Sequence, residues 1–310
     1  VRPDCYRVAA YITAYEDGAA LNICIAAIKA QTVAVERILI VDNSAAPLGL
    51  APEHQQDDTI AIWHHPENIG IAGGLERAIA HAVEQTYDFL WTFDQDSAPL
   101  PNCLELLLET YRQLATDTYA IGIVAPTPLD ARTGEVVQAS RWLGERFMGF
   151  PPPDTTHPYE CDAPITSGSL IGLHTTKTVS PPNPALFIDG VDLDYGLRLR
   201  QAGFHNLVVP SACMYHRFGT PIQAVLLGRK KTFQIYSPLR YYYICRNQTW
   251  IEWHHAQSGQ HLTCFLWRLR YLVLSIGIIL AFAPDTKWQR IQSCLLGTYH
   301  GFTNQLGKLP

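Results

Sequence analysis

The sequence predicts an α/β fold: a Rossmann-like, mostly parallel twisted sheet flanked by helices, with a helical C-terminal extension. Three observations carry that expectation. Short apolar runs rich in β-forming residues alternate with stretches of helical spacing from Arg7 to Val124. The runs are apolar on both faces, as buried parallel strands are. Several of them end in polar loops, and in doubly wound sheets ligands bind outside the carboxyl ends of the strands.

Arg7 to Thr13 reads as the first strand, Ala14 to Gly18 as a loop and Ala19 to Gln31 as a helix. A second strand, Glu36 to Val41, ends in Asp42-Asn43-Ser44. A loop over 47–57 precedes a short strand, Thr59 to Trp63. Another loop, His64 to Gly70, leads into a helix from Ile71 to Gln85. The run from Phe89 follows, then a helix from Asn102 to about Ala115 with Pro101 or Asn102 at its start, then a strand from Ile121 to Val124. Prolines 126, 128, 151–153, 158 and 164 mark a long excursion over the sheet edge, a candidate lid. Within it Trp142 either stacks on a sugar or plugs a surface. Thr166 to Leu173 reads as a strand entering the site. Asp192 to Ala202 reads as a helix with an acidic first turn, basic residues near its end and a Gly203 stop. Leu207 to Pro210 and Cys213 to His216 read as two short strands. A catalytic domain over 1–236 and a helical region over 237–310 are expected.

Composition narrows the function classes. The chain has 310 residues, 47% of them hydrophobic and 16% charged, so it can bury a core. Its net charge of −5 gives no reason to expect nucleic-acid binding. Eight cysteines, at 5, 24, 103, 161, 213, 245, 264 and 294, include no Cys-x-x-Cys pair. That argues against a zinc knuckle or disulfide framework and for a reducing compartment. No signal-peptide pattern opens the sequence. The longest uncharged apolar run, Tyr271 to Ala283, is too short to span a bilayer.

The chemistry is expected at the strand ends. Phe89-Leu90-Trp91-Thr92-Phe93-Asp94-Gln95-Asp96-Ser97 is an apolar strand ending in two carboxylates. The period of two in a strand places Asp94 and Asp96 on one side. Such a pair repels itself unless a cation lies between, and Mg²⁺ or Mn²⁺ is the hard ion that it holds beside a phosphate. A plain strand-ending turn is the rival reading, since Asp, Ser and Pro favour turns. Thr13, Asp42, Asn68 and Asp94 stand at the same sheet edge. Asp42 either shapes its turn or accepts the imide N–H of uracil or thymine. The glycines of Asn68-Ile69-Gly70-Ile71-Ala72-Gly73-Gly74 either admit a diphosphate to a helix N-terminus or allow close helix–sheet packing. No Gly-Lys-Ser/Thr follows, so this is not a Walker A loop.

Taken together these motifs resemble glycosyltransferase family 2, of the GT-A fold. The residues that carry the resemblance are Val41-Asp42-Asn43-Ser44, the run from Asn68 to Gly74, Phe93-Asp94-Gln95-Asp96-Ser97, Thr166-Ser167-Gly168-Ser169 and Asp189-Gly190-Val191-Asp192-Leu193-Asp194. Ser237-Pro238-Leu239-Arg240-Tyr241-Tyr242-Tyr243-Ile244-Cys245-Arg246-Asn247 resembles the bacterial rhamnosyltransferase branch, which borders the galactofuranosyltransferases. The resemblance implies an inverting transferase that moves L-rhamnose from dTDP-L-rhamnose to a glycan or lipid-linked glycan in cell-surface polysaccharide synthesis. It implies that Asp94, Asp96 and His216 hold the metal. It implies that Thr13, Tyr15, Asp42, Asn68, Gly70 and Gly73 contact the nucleotide sugar, together with Asp94, Gln95, Ser167 and Gly168. Asp192 stands where the family has its catalytic base. Val191 replaces the family's usual Glu beside it, which leaves open whether Asp194 shares the work.

The C-terminal stretch from Phe265 to Ala283 either packs on the catalytic domain or rests on a membrane. A cytoplasmic enzyme, peripheral on the inner face of the plasma membrane in the second case, is expected. The rivals are a transferase for galactofuranose or a UDP-hexose, and a non-catalytic binder of sugar nucleotides. A nucleotidyltransferase would show a basic Gly-rich loop after the first strand, and Ala14 to Gly18 is acidic instead.

Overall fold

The computed structural model describes residues 6–153, 156–217, 220–226 and 229–309. Cys5 lies outside them, and the other seven cysteines are free thiols. In chain order the elements are β1 (Val8–Ala14), α1 (Gly18–Lys29), β2 (Arg37–Asp42), β3 (Ile60–His64), α2 (Gly70–Glu84), β4 (Phe89–Asp94), β5 (Ser97–Pro99) and α3 (Cys103–Leu114). Then come β6 (Ile121–Asp130), β7 (Ala139–Trp142), β8 (Phe147–Phe150), β9 (Tyr159–Cys161), β10 (Leu170–Gly172), α4 (Val191–Gln201) and β11 (His205–His216). The chain finishes with β12 (Thr220–Leu226), β13 (Arg229–Ile235), α5 (Pro238–His255), α6 (His261–Phe282) and α7 (Lys287–Phe302).

Two compact units form. One holds the described residues up to 141, 149–187 and 191–217; the other holds 142–148, 188–190 and those beyond 217. The first unit is the α/β sheet that the apolar runs predict. Its strand order is β3-β2-β1-β4-β10-β6-β11-β5, with β9 added on β11. β1, β2, β3 and β4 run parallel, and so do β6 and β11. β10 runs antiparallel between β4 and β6, so the sheet is mixed at its centre. Ile12, Ile40 and Trp91 sit in the buried core with Leu21 and Ile25 of α1. Asp17 starts α1, its carboxylate accepting from Ala20 N at 2.9 Å. The acidity of that loop is therefore partly a helix cap.

Four expectations change. The proline-marked excursion begins later, because Pro126 and Pro128 lie inside β6. They are tolerated there because the facing strand is bulged, jumping from Val209 to Cys213 opposite Pro126 and Thr127. The two short strands expected over 207–216 are one long strand, β11, bent at that bulge. Of Thr166 to Leu173 only Leu170–Gly172 is strand. The apolar run judged too short for a bilayer is the end of a longer helix. α6 has 22 residues and a mean hydropathy of 1.8 over 18 of them, enough by length and composition alone to cross a membrane.

The second unit is mostly helical. Gly297 lets α7 approach α5, since a Cβ there would stand 2.3 Å from Tyr242 O. Arg268 on α6 is buried and pairs with Glu252 of α5 at 3.2 Å. Trp142 packs against Phe147, with ring centroids 5.0 Å apart and planes tilted by 52°.

Candidate active site

The site starts where β4 ends. The chain leaves the strand at Asp94, turns at Gln95 and Asp96, and resumes as β5 at Ser97. Asp96 is therefore not on the strand, and the period-two argument for its placement does not apply. The turn brings the two carboxylates together instead. β5 pairs antiparallel with the end of β11, setting His216 opposite Ser97 across 119 residues of sequence. As a result Asp94, Asp96 and His216 each offer a ligand atom, all within 4.8 Å of one another. Nε2 of His216 lies 3.9 Å from Asp94 Oδ2, and its Nδ1 lies 3.4 Å from Asp96 Oδ1. Two carboxylates and one imidazole form a donor set suited to Mn²⁺ or Mg²⁺, with the imidazole favouring Mn²⁺. The negative field is felt beneath the corner: burial, then the charges of Asp94 and Asp96, push the Cys24 thiol up.

A pair of serines supports this corner. His216 Nδ1 lies 2.8 Å from Ser97 Oγ, and Ser97 Oγ lies 2.6 Å from Ser167 Oγ. Ser167 Oγ also accepts from Asp94 N at 3.0 Å. The imidazole of one metal-ligand candidate and the backbone of another are thus joined through two buried hydroxyls. A metal on Nε2 requires the proton on Nδ1, and Ser97 Oγ is placed to accept it. Ser167, expected to touch the nucleotide sugar, belongs to this support. Sequence reading missed the role of Ser97, although it stands in the same motif. Gly168 holds φ +82°, and a Cβ would meet Pro126 at 2.6 Å, so it shapes the loop.

The other strand-end residues behave differently. Asp42 is 1% exposed, and its two oxygens accept from Ser44 N at 3.0 Å and Leu48 N at 2.8 Å. Those two bonds shape the turn. Asn68 Oδ1 accepts from Gly70 N at 3.0 Å, and Asn43 Oδ1 accepts from Ile69 N at 2.9 Å. Ala72 N donates to Phe187 O at 3.0 Å. These amides at the start of α2 are already paired. Gly70 has φ +72°, and a Cβ there would sit 2.4 Å from Phe187 O, while one on Gly73 would press on Ile69 at 3.2 Å. Both glycines permit close packing. Thr13 is buried, and its carbonyl accepts from Gln95 N. Gln95 and Tyr15 link their loops reciprocally: Tyr15 N donates to Gln95 Oε1 at 2.8 Å, and Gln95 Nε2 donates to Tyr15 O at 2.7 Å. The Tyr15 ring is left 55% exposed at the edge of the site.

Asp192 is the second residue of α4 and half-buried. It lines a small cleft with Leu75, Thr166, Ser169 and Tyr195. The loop 166–169 therefore borders both Asp192 and, through Ser167, the metal corner. Asp194 points elsewhere. It is 1% exposed and accepts from Arg198 Nε at 2.8 Å, and Arg198 in turn donates to Ser180 O and Pro181 O. A carboxylate held in this way is part of the framework. Within the second unit, Asn247 Nδ2 donates to Ile188 O at 2.7 Å and Asp189 O at 2.8 Å.

The fold is one that this chain shares with solved glycosyltransferases. Residues 10–163 match the family described as Glycosyl transferase family 2. No curated protein sequence matches the chain. Among solved structures it resembles GalNAc-T7 with UDP, GalNAc and Mn²⁺, at 12% identity and TM-score 0.56, over 96% of this chain and 56% of that one. The chain thus spans little more than half of that protein. It also resembles residues 1–349 of S. aureus TarS, at 12% identity and TM-score 0.52, over 95% of this chain and 80% of that one. These likenesses establish the fold.

Proposed function

We propose that this chain is an inverting, divalent-metal-dependent glycosyltransferase that moves L-rhamnose from dTDP-L-rhamnose to a glycan or lipid-linked glycan acceptor. The convergence of Asp94, Asp96 and His216 within 4.8 Å carries the reading, because mutually repelling carboxylates beside an imidazole need a cation. A bound Mn²⁺ or Mg²⁺ supplies charge neutralisation for a departing nucleoside diphosphate. Asp94, Asp96 and His216 are the residues that would hold it.

With the leaving group stabilised, no strong general acid is required. Asp192 acts as the base: its carboxylate takes the proton of the acceptor hydroxyl as that oxygen attacks the anomeric carbon. The bond to the diphosphate oxygen breaks on the opposite face, so the anomeric centre inverts. Tyr15 and the loop 166–169 border the donor. Asp42 retains lone pairs beyond its two backbone bonds for a base imide N–H.

The donor assignment is supported by the rhamnosyltransferase-like stretch from Ser237 to Asn247. A UDP-hexose is the second donor reading, favoured by the UDP and GalNAc named with the similar GalNAc-T7 structure. A panel of nucleotide sugars, with Mn²⁺ or Mg²⁺ and a chelator control, decides between them. Metal-dependent turnover of dTDP-L-rhamnose in preference to UDP-glucose and UDP-N-acetylglucosamine is expected. Efficient turnover of a UDP-hexose with no response to dTDP-rhamnose contradicts it. A lipid-linked acceptor brings the enzyme to the inner face of the plasma membrane, and peripheral membrane contact is part of the proposal.

A further inference from the structure

α6 is built the wrong way round for a helix bathed in water. Its buried stripe is Cys264, Arg268, Leu272, Ser275 and Ile279, and Arg268 reaches inward to Glu252. Its outer side shows Leu262, Leu266, Leu269, Val273 and Leu280, each between 45% and 70% exposed. An ordinary amphipathic helix puts its aliphatic residues inward and its charges outward. Here the outward face is the more apolar one, and nothing in the chain's described residues covers it. Trp288, 74% exposed, follows just beyond the helix.

Charge says what kind of partner fits. α6 and α7 contain no Asp or Glu. Residues 237–310 hold seven Lys and Arg against two Asp and Glu, a net charge of +5. The whole chain is −5, which leaves −10 for residues 1–236. Arg246, Arg268 and Arg290 are buried, which leaves Arg240, Arg270, Lys287 and Lys308 to face outward. Together with the apolar outer face, on an otherwise acidic chain, they match an anionic lipid surface. A second copy would bring the same positive charge to the same face, so self-association is disfavoured. Arg270, one turn from Leu266 and Val273, stands over the Trp267 ring with its guanidinium 4.8 Å from the centroid. Arg and Trp side by side suit the headgroup level of a bilayer.

We infer that the outer face of α6 rests on an anionic bilayer with its axis in the membrane plane. The inference rests on the membrane contact proposed above and names its surface and lipid class. The flat orientation follows from the buried stripe, which runs along the helix from Cys264 to Ile279. Crossing the bilayer would pull that stripe from its own unit and leave the buried Glu252 carboxylate without Arg268.

The test is vesicle flotation of the full chain, with phosphatidylcholine alone and with phosphatidylglycerol added. The parent is expected to float with the anionic vesicles and at least about tenfold less with the neutral ones. Leu269→Glu combined with Val273→Glu should weaken flotation by at least about tenfold while circular dichroism and nucleotide affinity stay unchanged. Both changes lie on an exposed face, so folding is preserved. The inference is overturned if the parent ignores anionic vesicles or if the double variant floats like the parent. A parent dimer that the double variant dissociates also overturns it, by assigning the face to a second copy. Turnover with a soluble acceptor separates this from the transferase proposal. A chain that turns over its donor but does not float sinks the surface alone, and one that floats but turns over no nucleotide sugar sinks the transferase and leaves the surface standing.

Discussion

The Asp42 loop and the Asp94 loop leave neighbouring positions at the carboxyl edge of the sheet, on the two strands that flank β1. In the Asp42 loop the side chains are engaged locally: Asp42 accepts from two backbone amides and Asn43 from a third. In the Asp94 loop the side chains of Asp94 and Asp96 turn towards each other and towards His216, and they are partly exposed. The comparison separates a loop that holds itself together from a corner arranged to hold something else. Like charges brought together have to be compensated, whereas a carboxylate on backbone N–H groups is already stabilised.

The comparison can be broken or sharpened by substitution. The largest effect belongs to Asp192. Asp192→Asn keeps shape but cannot take a proton, so transfer should fall by about 10²–10⁴-fold with donor and metal affinity nearly unchanged. Asp194→Asn should keep most of its single-turnover rate and instead lose on the order of 1–3 kcal/mol of stability with the Arg198 bond. If Asp194→Asn is the dead variant and Asp192→Asn is active, the base is Asp194.

Next comes the support of the metal corner. Ser97→Ala should weaken Mn²⁺ binding by about 10–100-fold, read by calorimetry, and should add nothing in a His216→Ala background, because Ser97 acts through the imidazole. Equal losses in both backgrounds would give Ser97 a separate role. On the other side of the comparison, Asp42→Asn sets an amide N–H₂ against a backbone N–H. It should cost on the order of 1–3 kcal/mol in thermal unfolding and leave Mn²⁺ affinity alone. A drop in Mn²⁺ affinity there would join the two loops into one site. The smallest effect is Gln95→Ala. It removes two exposed bonds to Tyr15 and should cost about 0.5–1.5 kcal/mol with unchanged metal affinity.

Much of this was legible in the sequence. Strand and helix alternation gave the first four parallel strands, because buried parallel strands are apolar on both faces and the helices between them are periodic. Asp94 and Asp96 were legible as a pair, but the reason was not: a turn joins them, since pleat geometry stops at Asp94. Ser97 was not legible as a support. Its role depends on β5 pairing with β11 and on a loop some 70 residues away, at Ser167. The glycines from 70 to 74 are ambiguous, because close approach to Phe187 and room for a phosphate leave the same mark in a sequence. Asp192 and Asp194 look alike there too. Only the partner at Arg198, one helical turn on, distinguishes them, and the i,i+4 spacing that would have shown it was in the sequence.

The central claim is that the Asp94 corner binds a divalent ion together with a nucleoside diphosphate. Calorimetric titration of dTDP and UDP into the parent and into Asp96→Ala, each with Mn²⁺ and with a chelator, tests it most directly. The account predicts tight binding to the parent only when Mn²⁺ is present, and loss of that metal dependence in Asp96→Ala with its melting temperature preserved. Nucleotide affinity that is the same with Mn²⁺ and with chelator, or that survives Asp96→Ala unchanged, contradicts it.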